Sequence, residues 1–228
     1  MDDPRMISVR RFSLQGSIWR QHAPMMEQVV RWINENESTF GRRVRVTHDG
    51  RRSAVIAETA FRRAAVNAPL FEQDEAAERA AGDLISLLPR GQFGDLPLTA
   101  SERLEVVLIQ QNLLRLANTL EVPAYFYPVP GCGVVNSAFG DMADGSHLIE
   151  IKTVARPFRG TDLRQMLIYC AMKYASNQSV DEISLYNPRR ARLFTSSLDE
   201  ISFAVSGRTG VELVNDLVDA MVGFQVSA

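Results

Sequence analysis

Lysine is nearly missing from this 228-residue chain: of 25 basic residues, only Lys152 and Lys173 are lysine and the rest are arginine. Where lysine persists against such a bias, a compact ammonium with a shiftable pKa is doing what a guanidinium does not. Cysteine is also scarce. Cys132 and Cys170 sit in apolar or glycine-rich surroundings without metal spacing, which excludes a disulfide framework and predicts small core residues in a reducing compartment. The three histidines, His22, His48 and His147, do not cluster. No apolar run is long enough to span a bilayer and no signal-peptide pattern opens the chain, so a cytoplasmic protein without a membrane partner is expected. A Walker-type glycine loop is missing too, which argues against an NTPase.

Excess positive charge is likewise lacking, with a formal net charge of −2, so composition does not advertise nucleic-acid binding. The charges are nevertheless uneven. Between Arg42 and Arg63 stand seven arginines against Asp49 and Glu58, either a phosphate-tracking patch or a solvated surface split across two elements.

What is present is ordinary globular material. A hydrophobic share of 46% is enough to bury a core, and the length suits one large domain or a core with a smaller partner. Weak alternation over residues 1–19 suggests a strand or two, and Pro24 suits the first turn of a helix that Gly41 closes. Residues 43–47 and 53–58 read as a hairpin about His48-Asp49-Gly50, followed by helices over 60–66 and 74–88. Residues 1–90 are therefore expected as a small N-terminal α/β domain of open role, DNA contact or partner docking. Residues 91–98, rich in glycine and proline, are the expected linker to a domain over 99–228.

In that second part Thr99-x-x-Glu102 forms a capping box that opens a long helix with a seam at Val106, Ile109, Leu113, Leu116 and Leu120. Strand residues 125–127 follow. Asp144-Gly145 then reads as a type I′ turn pairing 134–143 with 146–154, so that Ala143 faces Ser146 and Asp141 faces Leu148. Alternation puts Asp141, Glu150 and Lys152 on one face, the two carboxylates as diagonal neighbours able to reach one cation. His147, opposite Met142, falls on the other face and is expected to be structural. Two hard oxygen ligands suit Mg²⁺ or Mn²⁺ rather than zinc, and Lys152 could orient a water or meet charge on a phosphate. Asp162-x-x-Gln165 fits a capping box for the next helix, on which Gln165 and Tyr169 share a side. A hairpin about Asn187-Pro188-Arg189-Arg190 and a closing helix over 211–222 complete the reading.

An acid, a short gap, Glu150-x-Lys152 at the end of a hairpin, then Gln165-x-x-x-Tyr169 on the following helix resembles the PD-(D/E)XK nuclease superfamily, in its RecB-like branch. The resemblance covers roughly residues 99–196. It implies a restriction-endonuclease-like αβββαβ core, a mixed sheet flanked by helices, beside the N-terminal α/β domain. It also implies catalytic roles for Asp141, Glu150, Lys152 and Gln165, with Mg²⁺ or Mn²⁺ on Asp141 and Glu150. An acid from the preceding helix often joins the metal in that family. Glu102 is engaged in the cap, which leaves Glu105 as the candidate, or else as a helix surface charge. Arg156, Arg159 and Arg164 lie where they could hold phosphates, and Tyr169 either joins these DNA contacts or is a core tyrosine with its hydroxyl satisfied. The chain departs from the family pattern in carrying Gly140 where a proline usually precedes the acid.

Two functions lead, with hydrolysis of RNA or of a nucleotide as a weaker third. One is a Mg-dependent deoxyribonuclease acting in DNA repair or defence against foreign DNA, with DNA as partner and room beside it for a helicase, ATPase or other complex subunit. The alternative is a non-catalytic nuclease-fold subunit that binds DNA or holds an assembly together.

Overall fold

The computed structural model describes residues 6–47, 50–72, 74–87 and 97–224. Its centre is a six-stranded mixed sheet in the order β1-β6-β5-β4-β3-β2. The strands are β1 (Ser38–Thr39), β2 (Ala124–Val129), β3 (Ala138–Asp144), β4 (His147–Ile151), β5 (Glu182–Asn187) and β6 (Arg192–Ser197). All neighbours run antiparallel except β4 and β5, which are parallel. The parallel step needs a crossover, and helix α7 (Gly160–Ala175) supplies it. No helix among the described residues is long and apolar enough to cross a membrane.

Helices cover both faces. On one lie α1 (Val9–Ser13), α2 (Gly16–His22), α3 (Met26–Asn36), α7, α8 (Leu198–Ser206) and α9 (Gly210–Gly223), closing over Ala143, Leu148, Ile183 and Leu185. On the other α4 (Ser53–Ala65), α5 (Glu75–Ser86) and α6 (Ala100–Ala117) close over Met142, Ile149 and Tyr186. Strand alternation explains the division: Met142 pairs with Ile149 on one face and Ala143 with Leu148 on the other. Helix α7 is the keystone of the first layer. Leu163, Leu167 and Ile168 are fully buried, each stabilising the fold by roughly 1.5–3 kcal/mol.

The elements of residues 1–90 are shared between the layers. Helices α1 to α3 join the α7 core, α4 packs on α6, and β1 extends the sheet beyond β6. Within the expected linker, 91–96 lie outside the described residues; Leu98 is buried beneath α6.

Several expectations need correction. Residues 1–19 do not make strands where described: Ile7 forms only an isolated bridge to Val135, and Ser8 caps α1 by accepting the Arg11 N–H. Residues 53–58 are not half of a hairpin but the start of α4, and the expected turn at His48-Asp49 lies outside the described residues. Val55, Ile56, Thr59, Ala60, Arg63 and Ala64 form one buried helical stripe, a 3.6-residue period that overrides the β-branched start. Helix α3 begins at Met26, after Pro24, and ends at Asn36, well before Gly41. The Thr99–Glu102 capping box stands as read.

Candidate active site

The hairpin that carries the acids turns one residue later than Asp144-Gly145. Asp144 pairs with His147, leaving Gly145 and Ser146 as the loop, and only Gly145 takes a positive φ, +59°. A positive φ at the first loop residue alone fits the II′ class rather than I′. The cause is Asp144 itself. Its carboxylate accepts the N–H groups of Glu121 and Val122 at 2.8 and 3.0 Å, which ties it to the exit of α6 as the end of a strand.

The shift moves both strands together, so the facing of the side chains survives. One step beyond the Met142–Ile149 pair, the register sets Asp141 against Glu150 rather than diagonal to it. There the ladder opens, and the Ile151 N–H goes to the Asp141 carboxylate at 2.6 Å. Glu150 lies on the face that looks towards α7 and is only 1% exposed. One of its carboxylate oxygens accepts from the Lys152 ammonium in a short contact. The other, Oε2, is buried without any partner.

Lys152 reaches on to α7, donating to Gln165 Oε1 at 3.0 Å, and Gln165 Nε2 donates to the Tyr169 hydroxyl at 2.9 Å. Gln165 is therefore not part of a helix cap. The cap of α7 is Arg159, whose N–H goes to Asp162 within the first turn, so Asp162 is not the capping residue expected. Tyr169 is 4% exposed and meets the ring of Tyr127 edge-on, 6.4 Å between centroids. Both lysines of the chain border this cluster, since the Lys173 ammonium lies 5.4 Å from the Tyr127 ring.

The electrostatics follow from burial. Glu150 is pushed up to about 8, first by burial and then by the Asp141 charge, with Lys152 pulling the other way. Asp141 is raised by burial against the pull of Lys152 and of the Ile151 N–H. Burial alone would lower Lys152, but the charges of Glu150 and Asp141 hold it above its ordinary value, so it stays a cation. The Tyr127 and Tyr169 hydroxyls are raised, chiefly by burial, and remain protonated.

A pH dependence follows. A carboxyl raised in the folded state binds a proton that the unfolded chain has lost, so its contribution to stability declines as pH rises from 4.5 to about 8. His147, lowered by burial, works in the opposite sense and gains stability as pH rises through 6.5. The Glu150 effect is isolated as the difference between wild type and Glu150→Gln in EDTA. Urea unfolding is expected to show the variant gaining on wild type steadily between pH 5 and pH 8; parallel curves would contradict it.

The remaining expected site residues are placed as follows. Arg156 is held by Asp162 through its two terminal guanidinium nitrogens at 2.6 and 3.0 Å. Arg164 donates to Glu27 at 2.8 Å and lies over the Trp19 ring. Arg159, the first residue of the α7 cap, is exposed. Glu105 does not join Asp141 and Glu150. It is 2% exposed, bound by the Thr47 N–H and hydroxyl at 2.6 and 2.5 Å and by Arg189 at 2.5 Å. Neither a third ligand nor a surface charge, it is half of a buried ion pair. Among the described residues no three His, Cys, Asp or Glu side chains gather as a metal-binding group. His147 falls on the other face from Glu150 as read, hydrogen-bonded to Ser184 at 2.8 Å and 3.2 Å from Glu182.

The glycine before Asp141 has a local cause. The Tyr127 ring fills the space that a β-carbon at 140 would need, at 1.9 Å from its nearest atom. Gly140→Ala is accordingly expected to destabilise the protein by at least about 1–3 kcal/mol, the scale of core overpacking. Urea denaturation would show it, and a variant as stable as wild type would contradict the close approach.

No protein-family model matches the chain. Comparison with curated proteins and with solved structures also finds no match.

Proposed function

We propose that this chain is a Mg²⁺- or Mn²⁺-dependent DNA nuclease built on a restriction-endonuclease-like core. The observation that carries the reading is Glu150: a buried carboxylate with one oxygen on the chain's rare lysine, the other without a partner, and Asp141 directly across the hairpin. A buried polar atom left unpaired is uncommon enough to need a reason, and a cation between the two acids provides one. Two carboxylates suffice for Mg²⁺, which keeps several waters and draws other ligands from phosphate. The run α6, β2, β3, β4, α7, β5, with β5 parallel to β4, supports the fold assignment.

Asp141 and Glu150 would hold the cation, which when bound supplies a water of lowered pKa and offsets charge on the scissile phosphate. Lys152, kept cationic and fixed between Glu150 and Gln165, orients the attacking water or meets charge on a phosphate oxygen. Gln165 is itself held by Tyr169, which keeps the ammonium's second acceptor in place. Arg159 is the exposed arginine at the rim available to a flanking phosphate, while Arg156 and Arg164 carry acid partners of their own. Repair or defence against foreign DNA, beside a helicase or ATPase, belongs to the same proposal.

The second reading is the non-catalytic subunit. What favours it is that Lys152 closes onto Glu150 and that, among the described residues, no three His, Cys, Asp or Glu side chains gather as a metal-binding group. Calorimetric titration with Mn²⁺ and Mg²⁺ separates the two. Binding heat that Asp141→Asn removes supports the nuclease; no heat from the wild type sinks it in favour of the scaffold.

A further inference from the structure

A second charged site lies beside the first and takes no part in it. The turn between β5 and β6, residues 188–191, meets the extended segment 42–47, and their backbones are locked together. The Val44 N–H donates to the Arg189 carbonyl at 2.8 Å. The buried Asn112 of α6 clips both pieces: it accepts the Arg42 N–H at 3.0 Å and donates to the carbonyls of Arg42 and Pro188, each at 2.7 Å. Between them is a cavity of about 720 Å³ whose lining includes Arg43, Arg45, Arg189, Arg190 and Ala155, the last only three residues beyond Lys152.

Four guanidinium groups there face two carboxylates. Arg190 pairs with Glu37 at 3.1 Å, which Arg192 shares at 3.5 Å, and Arg189 pairs with Glu105. Arg43 and Arg45 are exposed and have no acid partner among the described residues. Arg189 adds a different signal. It is 2% exposed, yet its Nε and Nη2 are buried with no acceptor, because Glu105 engages only Nη1. Buried donors are nearly always satisfied, and a guanidinium edge with two open N–H positions is shaped for two oxygens of one oxyanion.

We propose that this pocket binds a phosphate group, with Arg43 and Arg45 gripping it from the solvent side and the Arg189 guanidinium, whose Nε and Nη2 are buried without acceptors, turning onto it from within. Phosphate fits better than a carboxylate, because only it offers enough oxygens for three guanidinium groups. A nucleic-acid strand and a small phosphorylated ligand both carry such a group; the rigid frame and the charge serve either.

The test is run in EDTA, so that it reads binding without cleavage and stands or falls apart from the nuclease reading. Fluorescence anisotropy of a short labelled single-stranded DNA, with 5′-phosphate or 5′-hydroxyl, is compared with thermal-shift titrations of inorganic phosphate and pyrophosphate. Arg43→Ala with Arg45→Ala, both exposed, leaves the core alone; Arg189→Met probes the buried edge. If a strand is the source, the double variant binds DNA at least about tenfold more weakly, with a salt slope smaller by roughly 0.7 for the one lost phosphate contact. If a small ligand is the source, phosphate or pyrophosphate stabilises the wild type and not the double variant, while DNA binding is unaltered. Wild type that binds none of these probes, or variants that bind all of them as wild type does, overturns the proposal.

Discussion

Lys152→Ala is expected to lower metal-dependent DNA cleavage by about 10²- to 10⁴-fold while leaving the protein folded, the scale at which a positioned proton-transfer or charge-stabilising group acts. The fold should survive because Glu150 already holds its proton up to about 8, and removing the ammonium raises it further. The neighbour neutralises instead of remaining as an uncompensated buried charge. Lys152→Arg sharpens the experiment. A planar guanidinium cannot sit as a point charge between Glu150 and Gln165, so arginine, abundant everywhere else in the chain, is expected not to restore cutting. The assay is cleavage of linear, circular and single-stranded DNA with Mg²⁺, Mn²⁺ and EDTA. Cutting by Lys152→Ala at the wild-type rate would remove Lys152 from the mechanism. Wild type that cuts nothing, alone or with a partner, would leave the scaffold reading.

The cluster was legible in the sequence for a reason of parity. Moving the turn by one residue changes which residues face each other but not which side they point to, so Asp141, Glu150 and Lys152 stay together under either register. The capping box at Thr99 was legible because its two hydrogen bonds are local. Helix α8 carries an equally local signal, Ser197-x-x-Glu200 ahead of Leu198, Ile201 and Val205 with Gly207 in the left-handed position after it, and that pattern went unread. Helices α1 and α2 are five and seven residues long, too short for a 3.6 period to stand out from alternation. What no local pattern could supply was long-range pairing. That Glu105 belongs to Arg189, 84 residues away, or that Asn112 joins residue 42 to residue 188, depends on how α6 lies across the sheet. The arginine run was divided by the same packing: Arg52 and Arg63 went into buried hydrogen bonds with Glu102 and Gln110, and Arg43 and Arg45 stayed at the pocket.

Glu105→Ala tests that division directly, and its effect should appear in stability rather than in metal binding. The substitution leaves Arg189, 2% exposed and already short of acceptors, without the acid it pairs with among the described residues, and takes both hydrogen bonds from Thr47. Breaking one side of a buried ion pair costs about 3–5 kcal/mol, a large part of a domain's net stability. Urea unfolding measures it. Replacing both partners, Glu105→Leu with Arg189→Met, removes the stranded charge and is expected to recover much of the loss, whereas a metal ligand would show no such coupling. The double variant Glu105→Leu with Arg189→Met leaves no buried charge unpaired, so it provides a folded protein for calorimetry. If Glu105 is structural, Mn²⁺ heat in that variant matches the wild type; if the heat disappears while stability barely changes, Glu105 reaches the cation after all and the two-acid site must be redrawn.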